Sequence, residues 1–364
     1  MNALTSVSKP SWNARRVVVF LVAAVLLAVL PVLLQGVGHA WVRILDTALL
    51  YILLALGLNI VVGFAGLLDL GYIAFYALGA YLFALLASPH LVENFPLIAA
   101  WFPAGLHAPV WVAIPLAAGL AAMAGVLLGA PTLKLRGDYL AIVTLGFGEI
   151  IRVFLNNMDM PLNITNGPKG IDRIESLEVF GINLGQPFEV AGYTFEPVTL
   201  HYYFFLAVVV VAVILCLRLS DSRLGRAWRA IREDEIAARA MGLNTKNLKL
   251  LAFGLGATFG GVAGVLFASF QTFVSPESFS LQESILVVAM VVLGGLGHVP
   301  GVILGAFLLA ALPEVLRHLA GPLQSMTDGR LDAAILRQLL VALAMIGVML
   351  LRPRGLWPSK GGRA

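Results

Sequence analysis

Histidine and cysteine are the side chains of this chain best suited to bind a metal or to take part in catalysis. The six histidines are scattered, with no two at the spacing of a metal site, and the single cysteine, Cys216, lies inside an apolar run. A Gly-x-Ser-x-Gly nucleophile motif is absent. The residue types and their spacing therefore argue against an enzyme and against a metal site.

Two glycine clusters, at 254–256 and 294–297, have a composition that suggests phosphate-binding loops. Neither has the third glycine, the lysine or the preceding soluble strand that such loops require. We therefore expect no ATP site of this kind and no cofactor in the chain.

Charged residues inside or near apolar stretches are candidates for an ion or proton pathway. Glu149 and Arg152 are three residues apart, so on a helix they share one face and can neutralise each other. Pairing of this kind is favoured over a proton relay, because secondary transporters usually carry more such groups. The full set is Asp46, Asp69, Glu149, Arg152, Glu314 and Arg337.

The composition excludes most water-soluble classes of protein. Of the 364 residues, 60% are hydrophobic and 12% are charged, and the mean hydropathy is +0.92. A soluble domain carries about twice that share of charge. Soluble enzymes, nucleic-acid binders, disordered adaptors and disulfide-rich secreted modules are poor fits, and the lipid bilayer is the expected solvent.

Apolar stretches long enough to cross a bilayer recur along the chain. The stretch 284–316 is too long for one span, and its glycines and proline between 294 and 301 predict a turn that divides it in two. Short, broken helices of this kind occur where protein or a water-filled cavity surrounds them. We therefore predict ten crossings in an all-α polytopic membrane protein. The stretches are 17–34, 41–62, 64–87, 110–130, 139–155, 202–219, 248–270, 284–316 and 333–351.

The distribution of basic residues predicts the orientation of these spans. The loop 88–109 has no lysine or arginine, whereas the segment 218–249 has eight. The positive-inside rule places 218–249 and both termini in the cytoplasm and the loops 88–109 and 156–201 outside. The chain 1–364 is then one transmembrane domain. Its outer loop 156–201, with a possible hairpin at 190–195, is interpreted as a lid, a docking face or a plain connection.

The inner segment 218–249 contains a predicted helix over 226–241, which Gly242 and Asn244 would end. Trp228, Ile231 and Glu235 share one face of this helix. Its arginines suit the anionic inner leaflet, and a knob that fits a cleft on a soluble partner is the alternative. Periodicity alone slightly favours the leaflet.

Small residues line one face of the span 248–270. Gly256, Gly260 and Gly264 recur every four residues, so a neighbouring helix can approach closely. This helix-packing face is interpreted as packing within the chain, with a subunit seam or a sliding surface as the alternative.

Several ordered blocks resemble one transporter family. The run 235–242 is similar to the Glu-Ala-Ala loop of ABC importer permeases, whose helix couples to an ATPase. The blocks 57–79, 137–149, 166–171 and 294–314 resemble the LivM-type permease of branched-chain amino acid ABC importers. These blocks follow one another across most of the chain.

The resemblance implies a ten-helix permease of the type II, vitamin-B12-importer-like class in the bacterial inner membrane. The partners that it implies are a second, LivH-type permease, two cytoplasmic ATPases that bind ATP and magnesium, and a periplasmic substrate-binding protein. Leucine, isoleucine and valine are the implied substrates, with urea, amides or aromatic acids as alternatives within the family.

The resemblance also gives roles to individual residues. We expect the coupling helix to meet the ATPases through Arg226, Trp228, Arg229, Arg232, Glu235, Ala237, Ala238 and Gly242. The candidates for the pathway, close to the glycine-rich joint at 62–71, are Asn59, Asp69 and Tyr72.

Two other classes of function remain open at this point. A proton- or sodium-coupled secondary transporter is favoured by the broken region 284–316 and by the intramembrane charges. A structural subunit without a pathway is favoured by the small-residue faces. The basic inner helix and the scarcity of ionisable residues favour the ABC permease instead.

Overall fold

The computed structural model of the chain describes residues 26–35, 38–103, 105–133, 135, 137–190, 193–326, 339, 342–343, 346–347, 350 and 355–357. These residues form a bundle of α-helices with short β-hairpins at one end. We call this the hairpin end. The helices in chain order are α1 (Leu26–Gln35), α2 (His39–Leu58), α3 (Ile73–Ala87), α4 (His90–Asn94), α5 (Pro96–Trp101), α6 (Val110–Thr132), α7 (Asp138–Asn157), α8 (Pro197–Asp221), α9 (Arg223–Glu233), α10 (Glu235–Ala240), α11 (Thr245–Gln271), α12 (Leu281–Gly294) and α13 (Val299–Met326).

Four helices in the described part of the chain are long and apolar enough to cross a membrane. They are Ala40–Phe64, Val110–Thr132, Pro197–Asp221 and Thr245–Gln271. Shorter apolar helices accompany them at Leu26–Gln35, Ile73–Ala87, Leu281–Gly294 and Val299–Pro313. The stretch predicted at 139–155 is the helix α7, and most of 333–351 lies outside the described residues.

Helix α11 lies at the centre of the bundle and packs against α2, α3 and α6. The predicted face of Gly256, Gly260 and Gly264 contacts α2 and α3. A Cβ at Gly260 would lie 3.0 Å from Cβ of Phe75, and one at Gly264 would collide with the backbone of Tyr76 and Ala80. This face is therefore packed within the chain, as the sequence favoured.

Helix α2 ends in a π-helical turn, Asn59–Phe64, in which the amide of Ala65 donates to the carbonyl oxygen of Ile60 at 3.2 Å. Irregular backbone follows until α3 begins at Ile73. The predicted span 64–87 is therefore wrong over its first nine positions. Apolar residues continue through this segment, but Gly66 adopts a φ of +69°, and Gly71 packs against the carbonyl of Thr144.

The predicted division of 284–316 is confirmed. Helix α12 ends at Gly294, α13 begins at Val299, and Gly295 and Gly297 between them have positive φ values. Near the C-terminus, the amide of Leu356 donates to the carbonyl oxygen of Leu293 at 2.9 Å. The end of the described chain thus covers this helix break.

The loop after α7 contains two antiparallel hairpins, β1 (Glu178–Val179) with β2 (Ile182–Asn183) and β3 (Phe188–Val190) with β4 (Tyr193–Phe195). The second confirms the hairpin expected at 190–195, and the first was not predicted. An isolated bridge between Ile171 and Val274 attaches the loop to the chain that follows α11.

The charged residues of the apolar segments differ in their surroundings. Glu149 and Arg152 form the predicted pair, with Oε2 of Glu149 2.9 and 3.0 Å from two guanidinium nitrogens. Asp46 is fully buried in α2. The side chain of Glu314 and the whole of Arg337 lie outside the described residues.

The packing of α11 predicts a large difference between two glycine-to-alanine substitutions. Gly264→Ala places a methyl group against the backbone of α3, which cannot rotate away, so we expect a loss of about 1–3 kcal/mol. Gly119→Ala in α6 meets no atom within 4 Å and replaces a poor helix former, so stability stays equal or rises by up to about 1 kcal/mol. Thermal unfolding of the detergent-solubilised variants measures both, and equal midpoints would contradict the close approach.

Candidate functional site

The segment α9–α10 lies at the end of the bundle opposite to the hairpin end and is capped by its own polar side chains. Ser222 accepts a hydrogen bond from the amide of Gly225 at 3.2 Å and starts α9. Asp234 interrupts the helix with a φ of −153°, and its Oδ1 accepts from the amides of Ile236 and Ala237 at 2.8 and 3.0 Å. The predicted single helix over 226–241 is therefore wrong at Asp234, whose type is common at N-caps.

The apolar face of the segment packs on the bundle. Trp228 is fully buried, and its indole Nε1–H donates to the carbonyl oxygen of Leu248 in α11 at 2.7 Å. Ile231 and Ala238 are buried as well. Trp228 and Ala238, which the sequence analysis assigned to the ATPase contact, thus hold the segment in place and present no surface to a separate chain.

A small ion cluster attaches α10 to α11. Glu235 lies between Lys249, whose Nζ is 2.7 Å away, and Arg239, whose guanidinium is 3.1 Å away. Lys249 is buried, so removal of the carboxylate would leave its charge without this partner, which is costly. Glu235 is therefore an internal anchor more than a surface contact.

The outward surface of the segment is an apolar tip with basic residues beside it. Ile236 is 71% exposed and Met241 85%, and Ala237 and Gly242 are exposed beside them. We call Ile236, Ala237, Met241 and Gly242 the apolar tip. Exposed large apolar side chains on a rigid, capped projection are typical of a protein contact.

Three of the four arginines of α9 donate to backbone carbonyl oxygens. Arg226 and Arg229 are exposed and donate to the carbonyl oxygens of Asp221 and Ser220 at 2.7 and 3.1 Å. Arg232 is exposed as well, but its Nη1 donates to the carbonyl oxygen of Gly63 in the π-helical turn at 2.5 Å.

Sequence reasoning missed Ile236 because α10 has only six residues, too few for a helical stripe to show in the sequence. The residue type of Asp234 could have indicated this exposure. An aspartate N-cap begins a new helix, so the residues after it lie on a different face from those of α9. Met241, at the end of the predicted helix, likewise lies on the exposed side of the segment.

The three pathway candidates are buried but have separate neighbours. Asn59 accepts from the amide of Gly297 at 2.8 Å, Asp69 accepts from the amide of Gly71 at 2.9 Å, and Tyr72 donates to the carbonyl oxygen of Gly256 at 3.0 Å. Nδ2 of Asn59 and Oδ2 of Asp69 have no hydrogen-bond partner within the described structure. Their role in a pathway stays a prediction.

Metal-binding potential was assessed from side-chain clusters. Among the residues that the structure describes, no three histidine, cysteine, aspartate or glutamate side chains group as metal ligands would. Cys216 is buried in α8.

A family model and individual known proteins that resemble the chain agree in their descriptions. Residues 40–350 match the family model described as branched-chain amino acid transport system, permease component. The chain is 42% identical over 352 residues to the high-affinity branched-chain amino acid transport system permease protein LivM of Escherichia coli K12, covering 93% of this chain and 74% of that protein.

Two more distant relatives extend the comparison. A probable LivM permease of Methanocaldococcus jannaschii is 28% identical over 68% of each chain. The LivH permease of the same transport system in Escherichia coli K12 is 38% identical over 88 residues, which is 24% of this chain and 28% of that protein. No solved structure gives a significant match.

The capping of α10 by Asp234 is testable. Asp234→Ala removes the acceptor of two amides, which costs about 0.5–2 kcal/mol of local stability and opens α10 without disturbing the buried Trp228. Hydrogen–deuterium exchange should then rise in residues 235–241. Glu233→Ala, at the neighbouring exposed acid, is the matched control. Equal exchange in the two variants would contradict the capping role.

Proposed function

The chain belongs to the permease-component family of branched-chain amino acid transport systems, and on that premise we propose that it is the transmembrane permease of an ATP-driven importer for leucine, isoleucine and valine. The observation that carries this proposal is the similarity to LivM permeases along nearly the whole chain. The exposed apolar tip supports it, because the permease of such an importer needs a surface that contacts the ATPases.

The chain is proposed to cross the inner membrane ten times in the manner of type II importers, with both termini in the cytoplasm. The concentration of lysine and arginine in 218–249 supports this orientation. The segment α9–α10 then lies in the cytoplasm, and the hairpin end lies outside.

The proposed assembly contains a LivH-type permease beside this one, two cytoplasmic ATPases and a periplasmic binding protein. Partial similarity to a LivH permease is consistent with two related permeases that form one pathway. ATP and magnesium would be bound by the ATPases, where the chemistry takes place.

The proposed cycle converts closure of the ATPases into movement of the permeases. Binding of ATP draws the two ATPases together, and the apolar tip moves with the ATPase that holds it. Because Trp228 and Glu235 attach the segment to α11, this movement is passed to the bundle. A cavity between the two permeases then opens alternately to the outside and to the inside.

The assembly is tested by purification of the tagged chain from its native membrane in mild detergent, followed by mass spectrometry. We expect two ATPase chains and a second permease to remain attached. Uptake of labelled leucine by the reconstituted complex should require ATP and should be reduced by isoleucine and valine, but not by urea. A single species whose uptake follows a proton gradient would overturn the proposal.

The apolar tip predicts which substitution separates the ATPases from the permease. Met241→Asp introduces a charge at a side chain that is 85% exposed, so the fold is unaffected while an apolar contact is lost. We expect recovery of the ATPases to fall at least about tenfold, which corresponds to about 1.4 kcal/mol.

Met160→Asp is the matched control, because Met160 is 82% exposed but lies at the hairpin end. It should retain the ATPases at the level of the unaltered chain. Equal recovery with Met241→Asp and Met160→Asp would contradict a role of the tip in this contact.

A further inference from the structure

Arg232 connects the segment α9–α10 to the π-helical turn that ends α2. Its Nη1–H donates to the carbonyl oxygen of Gly63, and its aliphatic stem lies on Gly66. A Cβ at Gly66 would approach Cγ of Arg232 to 2.7 Å, so only glycine leaves room for the stem. The φ of +69° at Gly66 independently favours glycine there.

The second helix break meets the same place. Gly297, in the turn between α12 and α13, donates its amide to Oδ1 of Asn59 at 2.8 Å. A Cβ at Gly297 would lie 3.3 Å from Nη1 of Arg232, and one at Gly63 would lie 2.6 Å from the amide nitrogen of Gly297. Arg232, the end of α2 and the α12–α13 turn therefore form one junction.

The guanidinium of Arg232 and the carbonyl group at the end of α2 can form a strong, directional hydrogen bond. Carbonyl groups at the C-terminal end of a helix carry partial negative charge, and a guanidinium is a cationic donor that never loses its proton in a protein. Hydrogen bonds of this charge-assisted kind are about twice as strong as neutral ones. Arg232 is thus hydrogen-bonded to the backbone at a point where two helices are interrupted.

We propose that Arg232 is the positioning residue that transmits movement of the α9–α10 segment to the two helix breaks. The inference rests on the proposed function, in which that segment follows the ATPases. It gives Arg232 a role different from the ATPase contact expected from the sequence, because its guanidinium is hydrogen-bonded to the π-helical turn. Loss of Arg232 should therefore leave the ATPases attached and active while substrate movement fails.

The test measures how many leucine molecules the complete complex transports per ATP hydrolysed. The complex is reconstituted in liposomes with its external binding protein and labelled leucine. Arg232→Ala should lower this ratio about tenfold, in line with the loss of a hydrogen bond from a charged donor. Arg232→Lys retains a cationic donor without the planar fork, so its ratio should lie between those of Arg232→Ala and the unaltered complex.

Two further variants complete the test. Asn59→Ala removes the acceptor for Gly297 without touching α9 and should lower the ratio as well. Arg223→Ala, an exposed arginine at the first position of α9, is the matched control and should keep the ratio of the unaltered complex. The ratio is unaffected by a merely lower yield of folded protein, which reduces transport and hydrolysis in proportion.

The possible failures are distinguishable. An unchanged ratio in Arg232→Ala, or loss of the ATPases from that variant, would overturn the role of Arg232 and leave the importer assignment in place. An unaltered complex that neither retains ATPases nor hydrolyses ATP would overturn the proposed function and this inference with it.

Discussion

The described packing depends on how closely other helices can approach the backbone of α11. In a bilayer the lipid is as apolar as the side chains, so helices gain little from the hydrophobic effect and must gain from direct contact. The glycines at 256, 260 and 264 provide this contact toward α2 and α3, and Gly261 provides it toward α6, where a Cβ would lie 2.5 Å from the carbonyl oxygen of Ala117. The segment α9–α10 is in turn attached to α11 through Trp228.

Irregular backbone elsewhere in the bundle depends on contacts with other helices. The chain between the π-helical turn and α3 is not helical, and Leu70 within it has partners on other helices. The amide of Leu70 donates to Oγ1 of Thr144 at 3.0 Å, and the carbonyl oxygen of Leu70 accepts from the hydroxyl group of Ser284 at 2.5 Å. Non-helical backbone at membrane depth requires such internal partners, because no lipid group can replace them. The irregular segment between α2 and α3 is thus stabilised by hydrogen bonds to α7 and α12.

Sequence patterns predicted those features that depend on local residue types. The turn at 294–301 follows from its glycines and proline, and the pairing of Glu149 with Arg152 follows from their spacing. The full length of the irregular segment before Ile73 could not be predicted in this way, because most of its residues are apolar and the contact of Gly71 with Thr144 joins positions far apart in sequence. For the site, periodicity correctly grouped Trp228 with Ile231 but could not tell that α11 covers that face.

The two attachments of α9–α10 therefore have different mechanical consequences. Trp228 and the Glu235–Lys249 pair bind the segment to α11, so the segment cannot move far without that helix. The faces of α11 toward α2 and α3 are glycine-rich, and a smooth face resists sliding less than interlocked side chains do. Arg232, in contrast, joins the segment to backbone on the other side of those faces, at Gly63. A displacement of α11 relative to α2 must then stretch or turn the Arg232 link, and the strain falls on the two helix breaks, where the chain bends most easily.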